Sequence, residues 1–117
     1  MDVYFTNAKI SKEFNNGALL QRKHGARQAD KIKKRMAELR AANNLYDFWP
    51  PYSGPGRCHE LTEGKRSGKF QLSLDLDHPY RLIFTPFHDP IPVKPDGGLD
   101  WAKVTAILIL GVEDTHD

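Results

Sequence analysis

The sequence predicts an α+β fold in which two N-terminal helices pack on one face of a mostly antiparallel four-stranded sheet. Apolar residues recur at spacings of three and four over residues 29–39, as on one face of a helix. Residues 70–77 instead alternate between apolar and polar side chains, which is typical of a strand with one wet face. Residues 104–112 form the most apolar run and predict an interior strand.

The first half of the chain predicts one strand and two helices. Residues 3–5 are β-prone, and residues 11–20 indicate a weak first helix that the Asn-Asn-Gly run at 15–17 interrupts. The second helix begins at Ala26, after Gly25, and ends near residues 43–44. Because both helices come early and together, we expect them to cover the same face of the sheet.

The second half predicts strands joined by turns and loops. Residues 48–56 contain three prolines and two glycines and predict a loop, whose aromatics either pin it to the domain or stack on bases. A turn at His78-Pro79 separates strands over residues 70–76 and 80–85, so these two pair antiparallel. Residues 86–100 carry four prolines and a Gly-Gly pair and predict a long loop. The uncovered face of the sheet should be concave and polar.

Length and composition indicate a single globular domain over residues 1–117. Hydrophobic residues make up 39% and charged residues 27%, which excludes a disordered chain, and no apolar run nears the roughly 20 residues of a membrane span. The first ten residues have no apolar segment of the signal-peptide kind. With Cys58 the only cysteine, no intrachain disulfide or cysteine zinc cage can form, and we expect a reducing, cytoplasmic location without membrane partners.

Charge is unevenly distributed along the chain. The net charge is +2, but residues 21–40 hold eight basic and two acidic side chains. A basic amphipathic helix in a nearly neutral protein indicates either a solvated helix face or a polyanionic or acidic partner.

Three polar residues are candidates for chemistry on the uncovered face. His59 precedes the late strands, Arg81 lies within an apolar strand, and His116 follows Asp114 at the end of the last strand. Histidines can take a proton from a ribose 2′-OH and give one to the leaving 5′-oxygen, while an arginine stabilises the phosphate charge. The pattern also fits a structural arginine with surface histidines, or a metal site that adds His88.

Five stretches resemble a known family in the same order along the chain. They are residues 23–27 (KHGAR), 57–61 (RCHEL), 70–74 (FQLSL), 80–84 (YRLIF) and 110–116 (LGVEDTH). Together they resemble the HigB branch of the RelE/ParE toxins, and the resemblance covers most of the chain. Thr115 stands where that family often has tyrosine, and Thr62 or Glu63 where a lysine is common.

The resemblance implies a RelE-like fold and the toxin of a type II toxin–antitoxin system. Such a toxin enters the ribosomal A site and cuts messenger RNA without a cofactor or metal. A helix-turn-helix antitoxin of the HigA type would hold it inactive, and operator DNA would be met only through that antitoxin. Carried over by position, the catalytic set is His59, Arg81, Asp114, His116 and Lys65, and the contacts to ribosomal or messenger RNA come from Lys23, Arg27, Lys34, Arg35 and Lys69.

Two other classes of function remain open at this point. One is a non-nucleolytic inhibitor with the same fold, as in the gyrase-poisoning ParE branch, which generally lacks the histidine pair. The other is a catalytically weak binding module neutralised by an antitoxin.

Overall fold

The computed structural model describes residues 1–61 and 70–114, which form helices on a mixed sheet. The strands are β1 (Asp2–Phe5), β2 (His59–Glu60), β3 (Leu72–Asp75), β4 (Tyr80–Pro86) and β5 (Ala106–Asp114). The helices are α1 (Ala8–Phe14), α2 (Gly17–His24) and α3 (Ala26–Ala41), and short 3₁₀ turns lie at Leu45–Phe48 and Trp101–Lys103.

The sheet has the strand order β1-β5-β4-β3-β2. The pairs β2–β3, β3–β4 and β4–β5 are antiparallel, and β1 runs parallel to β5. The mostly antiparallel α+β prediction is therefore confirmed, and β5 lies inside the sheet as expected. The described residues contain five strands rather than four, because the two-residue β2 forms the edge beyond β3.

The described N-terminal part of the chain holds three helices rather than two. The helix predicted over residues 11–20 is broken at Asn16, whose side chain accepts hydrogen bonds from the backbone nitrogens of Ala18 and Leu19 and so caps α2. Gly25 then separates α2 from α3 with a φ of +85°, a conformation that favours glycine. Helix α3 agrees closely with the predicted second helix.

All three helices contribute to one apolar core on a single face of the sheet. Alternate residues of β3, β4 and β5 face this core, which the helices cover from the other side. The sheet supplies Leu72, Leu74, Leu82, Phe84, Ile107 and Ile109, and the helices supply Phe14, Leu20, Ala29, Ile32, Met36 and Leu39.

The opposite face of the sheet is less open to water than expected. It carries His59, Ser73 and Ile83 side by side, and these residues are 5%, 0% and 0% exposed. The face is partly accessible towards both ends of these strands, at Asp75 and Arg81 on one side and at Gln71 and Thr85 on the other. The polar surface predicted for this face is thus partly closed in the free protein.

The long loop after β4 is anchored rather than free. Leu99 and Trp101 are each 3% exposed and belong to the core, and Val93 forms an isolated bridge with Leu99. The Trp101 indole nitrogen also donates to Glu60 at 3.0 Å, which ties this segment to β2. No helix in the described ranges is long and apolar enough to cross a bilayer.

Glu13 joins α1 to α2 through a partly buried ion cluster. Its carboxylate lies 2.8 Å from Lys23 Nζ and 2.9 Å from His24 Nε2. Burial by itself would raise the pKa of Glu13, but the hydrogen bonds and charges of Lys23 and His24 outweigh it and hold the pKa below its ordinary value.

We predict that Glu13 stabilises the fold above pH 5 and loses this effect in acid. A carboxyl whose pKa is lower in the folded state contributes stability above its unfolded pKa, and the contribution disappears as pH falls through the folded value. Glu13→Gln should therefore lower the free energy of unfolding by about 1 kcal/mol at pH 6. At pH 3 the difference from the unmodified protein should be smaller. A difference of equal size at both pH values, measured by urea denaturation, would contradict the ion cluster's role.

Candidate functional site

The strand register gathers polar residues on the sheet face away from the helices. His59 on β2 lies opposite Ser73 on β3, and Asp75 on β3 lies opposite Arg81 on β4. Residues directly opposite each other in antiparallel strands share a face, as do residues two apart along a strand. The structure therefore brings the predicted residues His59 and Arg81 to one surface, with their Cα atoms roughly 12 Å apart across β3.

The imidazole of His59 is held in one orientation. Its Nδ1 lies 2.7 Å from the carbonyl oxygen of Arg57, an atom that can only accept, so Nδ1 carries a hydrogen and donates it. In the neutral ring Nε2 is then the unprotonated nitrogen, which is the form that a general base requires.

Tyr52 and Arg57 form a stack on His59. The Tyr52 ring lies parallel to the imidazole at a centroid distance of 4.0 Å, and the Arg57 guanidinium lies 5.2 Å from the centre of the Tyr52 ring. Tyr52 and Arg57 both have a positive φ, of 68° and 48°, which is uncommon for residues with a side chain. Such conformations persist where surrounding contacts impose them, and they concentrate at functional sites.

The carboxylate of Asp75 bridges two arginines. Arg57 Nη1 lies 3.3 Å from Oδ2, and Arg81 Nε lies 3.4 Å from Oδ1. The second contact lacks hydrogen-bond geometry, so Oδ1 is buried without a hydrogen-bond donor among the described residues. We call Arg57, Asp75 and Arg81 the arginine clamp. About half of the Arg57 side chain and a third of the Arg81 side chain remain exposed.

A row of unsatisfied oxygens runs along the same face of β3. Ser73 Oγ and Gln71 Oε1, like Asp75 Oδ1, are buried and have no hydrogen-bond partner in the described part of the chain. Buried polar atoms are paired in most proteins, so a row of three marks a place where stability is not optimised.

Arg35 belongs to the support of this site rather than to the exposed basic surface. The residue is 5% exposed, and its guanidinium donates to the carbonyl oxygens of Asp75 at 2.8 Å and Pro55 at 3.3 Å and to Glu38 at 3.0 Å. The expectation that Arg35 contacts RNA therefore does not fit its burial. The hydrogen bonds of this guanidinium fix the loop that carries Tyr52 and Arg57.

Gly56 lets this loop approach the sheet. Its carbonyl oxygen accepts a 2.7 Å hydrogen bond from the Asp75 nitrogen, and a Cβ at this position would lie 2.7 Å from a methyl carbon of Leu74 and 3.2 Å from Arg35 Cδ. A side chain therefore cannot be added without moving the loop or the core.

The register does not place Asp114, which was expected to orient or stabilise the catalytic set, opposite Arg81. The register pairs Asp114 with Tyr80 and pairs Glu113 with Arg81. Adjacent residues of a strand face opposite sides, so Asp114 lies on the helix side and Glu113 on the clamp side. The register shift between Ile83 and Phe84 determines which residues at the end of β5 lie on each side of the sheet.

Several expected site residues lie outside the described residues. They are His116, Lys65 and Lys69, and the departures from the family pattern at Thr62, Glu63 and Thr115 lie there too. The predictions for these residues stay as they were made from the sequence.

The remaining basic candidates are exposed, and each is paired with an acid. Arg27 Nε lies 3.2 Å from Asp77, and its side chain is 82% exposed. Lys34 Nζ lies 3.2 Å from Asp30 one turn earlier in α3. Exposed pairs of this kind are weak and break readily in favour of a polyanion.

The helices carry a further basic pocket that the sequence did not single out. It lies between α1 and α2, has a volume of about 400 Å³, and adds three cations to the expected Lys23. Its lining residues are Lys9, Lys12, Glu13, Leu19, Arg22 and Lys23.

Nucleophilic thiol chemistry is not supported. Cys58 is fully buried, and burial, with the nearby charge of Glu60, raises its pKa to about 12, so the thiol stays protonated. Residues 1–61 and 70–114 contain no cluster of three or more His, Cys, Asp or Glu side chains arranged to hold a metal ion.

The sequence offered signals for Asp75, which was missed as a site residue, and for the burial of Arg35, which was assigned to RNA binding. Asp75 stood in the polar half of the alternating strand, and Arg35 lies three residues after Ile32 and four before Leu39, on the apolar stripe of α3. Tyr52 lay among the loop aromatics and Arg57 opened the stretch at residues 57–61, but their stack on His59 had no signal because it depends on the path of the loop.

Comparison with known proteins supports the fold. No protein-family model matches the sequence, and no curated protein matches it. The fold is similar to the solved structure of a YoeB/ParE toxin from Agrobacterium tumefaciens, with a TM-score of 0.52 and 13% sequence identity. The match covers 99% of this chain and 100% of the toxin chain. The chain therefore has the fold of such toxins.

We predict that Arg35→Met destabilises the protein by about 3 kcal/mol, because two carbonyl oxygens and Glu38 lose a buried partner. The matched control is Lys34→Met, which removes the same charge from an exposed side chain and should change stability by less than about 0.5 kcal/mol. Equal effects of the two substitutions on urea denaturation would show that Arg35 does not support the loop.

Proposed function

We propose that this chain is the toxin of a type II toxin–antitoxin system and cleaves messenger RNA in the ribosomal A site. The observation that carries this proposal is the fixed imidazole of His59, which lies on the same face as Arg81 in a chain with a toxin fold. This residue pair can abstract a proton and stabilise phosphate charge, which are two requirements of RNA cleavage without a metal ion.

In the proposed mechanism His59 Nε2 accepts the proton of the ribose 2′-OH. The oxygen attacks the adjacent phosphorus, and the guanidinium of Arg81 stabilises the charge that develops on the phosphate oxygens. The bond to the 5′-oxygen breaks, and His116 gives that oxygen a proton, a role that rests on the family resemblance. Lys65 would supply a further positive charge.

The burial of His59 supports dependence on the ribosome. At 5% exposure His59 is largely covered in the free protein, so RNA that diffuses freely has poor access to its side chain. A ribosome would hold the messenger against the face and supply the binding energy that opens it. The exposed cations Lys23, Arg27 and Lys34 would contact ribosomal RNA phosphates, as would Lys69.

A toxin of this kind acts in the cytoplasm and needs a cognate antitoxin. We propose a HigA-like helix-turn-helix protein as that partner, with operator DNA bound only through it. The HigB branch is favoured over a gyrase-poisoning ParE inhibitor because His59 is oriented as a base would be.

The test is to add the purified protein to a reconstituted translation reaction and map messenger ends by primer extension, with and without ribosomes. We expect cuts at the A-site codon only when ribosomes are present. The matched variant is His59→Asn, whose amide nitrogen can keep the donation to the Arg57 carbonyl while Nε2 is lost. It should cut about 10² to 10⁴ times more slowly.

Two outcomes would overturn this proposal. Cleavage by His59→Asn at the rate of the unmodified protein would remove His59 from the catalytic set. A folded protein that makes no cuts in either reaction would favour a non-nucleolytic inhibitor or a catalytically weak binding module.

The basic helix face gives a separate prediction about ribosome binding. Replacing Arg27 and Lys34 together by alanine should weaken binding to ribosomes. The slope of log K against log salt concentration should become shallower by the amount that up to about two lost phosphate contacts would give. The control replaces Lys94 and Lys103, which are also exposed and paired with nearby aspartates. Equal weakening by both pairs, measured by sedimentation at several salt concentrations, would mean that α3 is not the contact surface.

A further inference from the structure

The arginine clamp is built like a binding site for an anion that the protein fills with its own carboxylate. Arg57 comes from the loop before β2 and Arg81 from β4, yet both guanidinium groups converge on Asp75. Two guanidinium groups around one small anion are the arrangement by which proteins hold a phosphate group.

The fit of Asp75 between the arginines is imperfect. Its Oδ1 is buried and accepts no hydrogen bond from the described residues, although Arg81 Nε is 3.4 Å away. A carboxylate has two oxygens in one plane, whereas a phosphodiester presents two unesterified oxygens on a tetrahedral centre. A larger anion could therefore accept the hydrogen bond from Arg81 that the carboxylate leaves unmade, together with one from Arg57 like that which Asp75 now accepts.

The surroundings of the clamp suit a nucleotide. Tyr52 is 56% exposed, and its ring stacks on His59 and has the Arg57 guanidinium nearby. A base could stack on the Tyr52 ring once the Arg57 guanidinium is displaced or turned. A phosphate seated between Arg57 and Arg81 would lie on the same face as the Nε2-bearing imidazole.

We propose that Arg57 and Arg81 bind an RNA phosphate, and that Asp75 occupies this phosphate site in the free protein. RNA binding then requires the carboxylate to leave the clamp, so Asp75 weakens binding to RNA that no ribosome presents. This inference deepens the proposed function, since it assigns Arg57 to RNA binding and names Asp75 as the competing group at the same site.

Asp75→Asn separates this inference from a purely structural role of the carboxylate. The amide keeps the size of the side chain and leaves both backbone hydrogen bonds of residue 75 in place, but it removes the charge that competes with phosphate. If Asp75 instead serves to hold the arginines in position for RNA, the same change should weaken RNA binding.

The measurement is fluorescence anisotropy with a labelled 2′-O-methyl RNA hexanucleotide, which cannot be cleaved, in the absence of ribosomes. Asp75→Asn should bind about three- to tenfold more tightly than the unmodified protein, since two partly exposed ion pairs no longer compete. The control Asp96→Asn changes the net charge equally at the Lys94 pair, away from the proposed RNA contacts, and should stay within twofold. Adding Arg57→Gln to Asp75→Asn should abolish the gain.

Equal tightening by Asp75→Asn and Asp96→Asn, weaker binding by Asp75→Asn, or no measurable binding by Asp75→Asn would each overturn the inference. The binding measurement involves no cleavage, so it is independent of the nuclease activity. Tighter RNA binding by Asp75→Asn, with no A-site cutting by the unmodified protein, would support the clamp and reject the nuclease. Ribosome-dependent cutting without tightening would do the reverse.

A second measurement uses the unmodified protein and does not depend on a variant that folds. Inorganic phosphate is added while the side-chain Nε–H signals of the arginines are followed by NMR. The signals of Arg57 and Arg81 should move together along one saturation curve, whereas that of Arg27, paired with Asp77 elsewhere, should move far less. Uniform movement of all three signals would contradict a specific site.

Discussion

The site depends on the buried guanidinium of Arg35. A cation removed from water is tolerated only when its donors are satisfied, and Arg35 meets this condition with carbonyl oxygens from Pro55 and Asp75 and the carboxylate of Glu38. These partners belong to three separate segments, namely the loop before β2, strand β3 and helix α3 itself. One side chain thus fixes the helix, the sheet and the loop relative to one another.

The loop held in this way carries the parts of the site that the sheet does not supply. Gly56 packs against Arg35 and Leu74, and beyond it the chain turns to bring the Arg57 carbonyl to the imidazole of His59. The sheet contributes Asp75 and Arg81 through ordinary cross-strand pairing. A rigid scaffold with reactive groups on an anchored loop is a common arrangement at sites that bind and transform a ligand.

The uncovered sheet face keeps polar groups that a purely structural surface would not retain. Within the described ranges Gln71 Oε1, Ser73 Oγ and Asp75 Oδ1 are buried without a hydrogen bond, which reduces stability, and the positive φ at Tyr52 and Arg57 adds backbone strain. These costs all fall within one small region around His59, which is the pattern expected of a site shaped for binding rather than for stability alone.

Much of the fold could be predicted because its signals are local and repeated. The helical stripe of α3 and the alternation around β3 identified which side chains face the core, and that alternation placed Asp75 on the polar side. Strand β2 was indicated only by the resemblance of residues 57–61 to a strand of the toxin family, because two residues are too few to show a period. Residues 11–20 could plausibly have formed one continuous helix. The helix is instead broken at Asn16, because the side chain of Asn16 caps the start of α2.

The site was less predictable than the fold because its geometry depends on contacts between distant segments. His59 and Arg81 could be proposed from residue type and resemblance, and the sheet register does bring them to one face. The exchange of Asp114 for Glu113 beside Arg81 follows from a register shift that composition cannot reveal. Arg35 was assigned to the basic surface by its charge, although its position between Ile32 and Leu39 indicated burial.

The proposed reaction directs a ribose 2′-OH on this face at the neighbouring phosphate. The most direct test places a single 2′-O-methyl group on the nucleotide just before the mapped cut in a messenger engaged by the ribosome. We expect cutting at that phosphate to stop, whereas the unmodified messenger should yield fragments ending in a 2′,3′-cyclic phosphate or 3′-phosphate and a 5′-hydroxyl. Continued cutting at the blocked position, or fragments with 5′-phosphate ends, would contradict it.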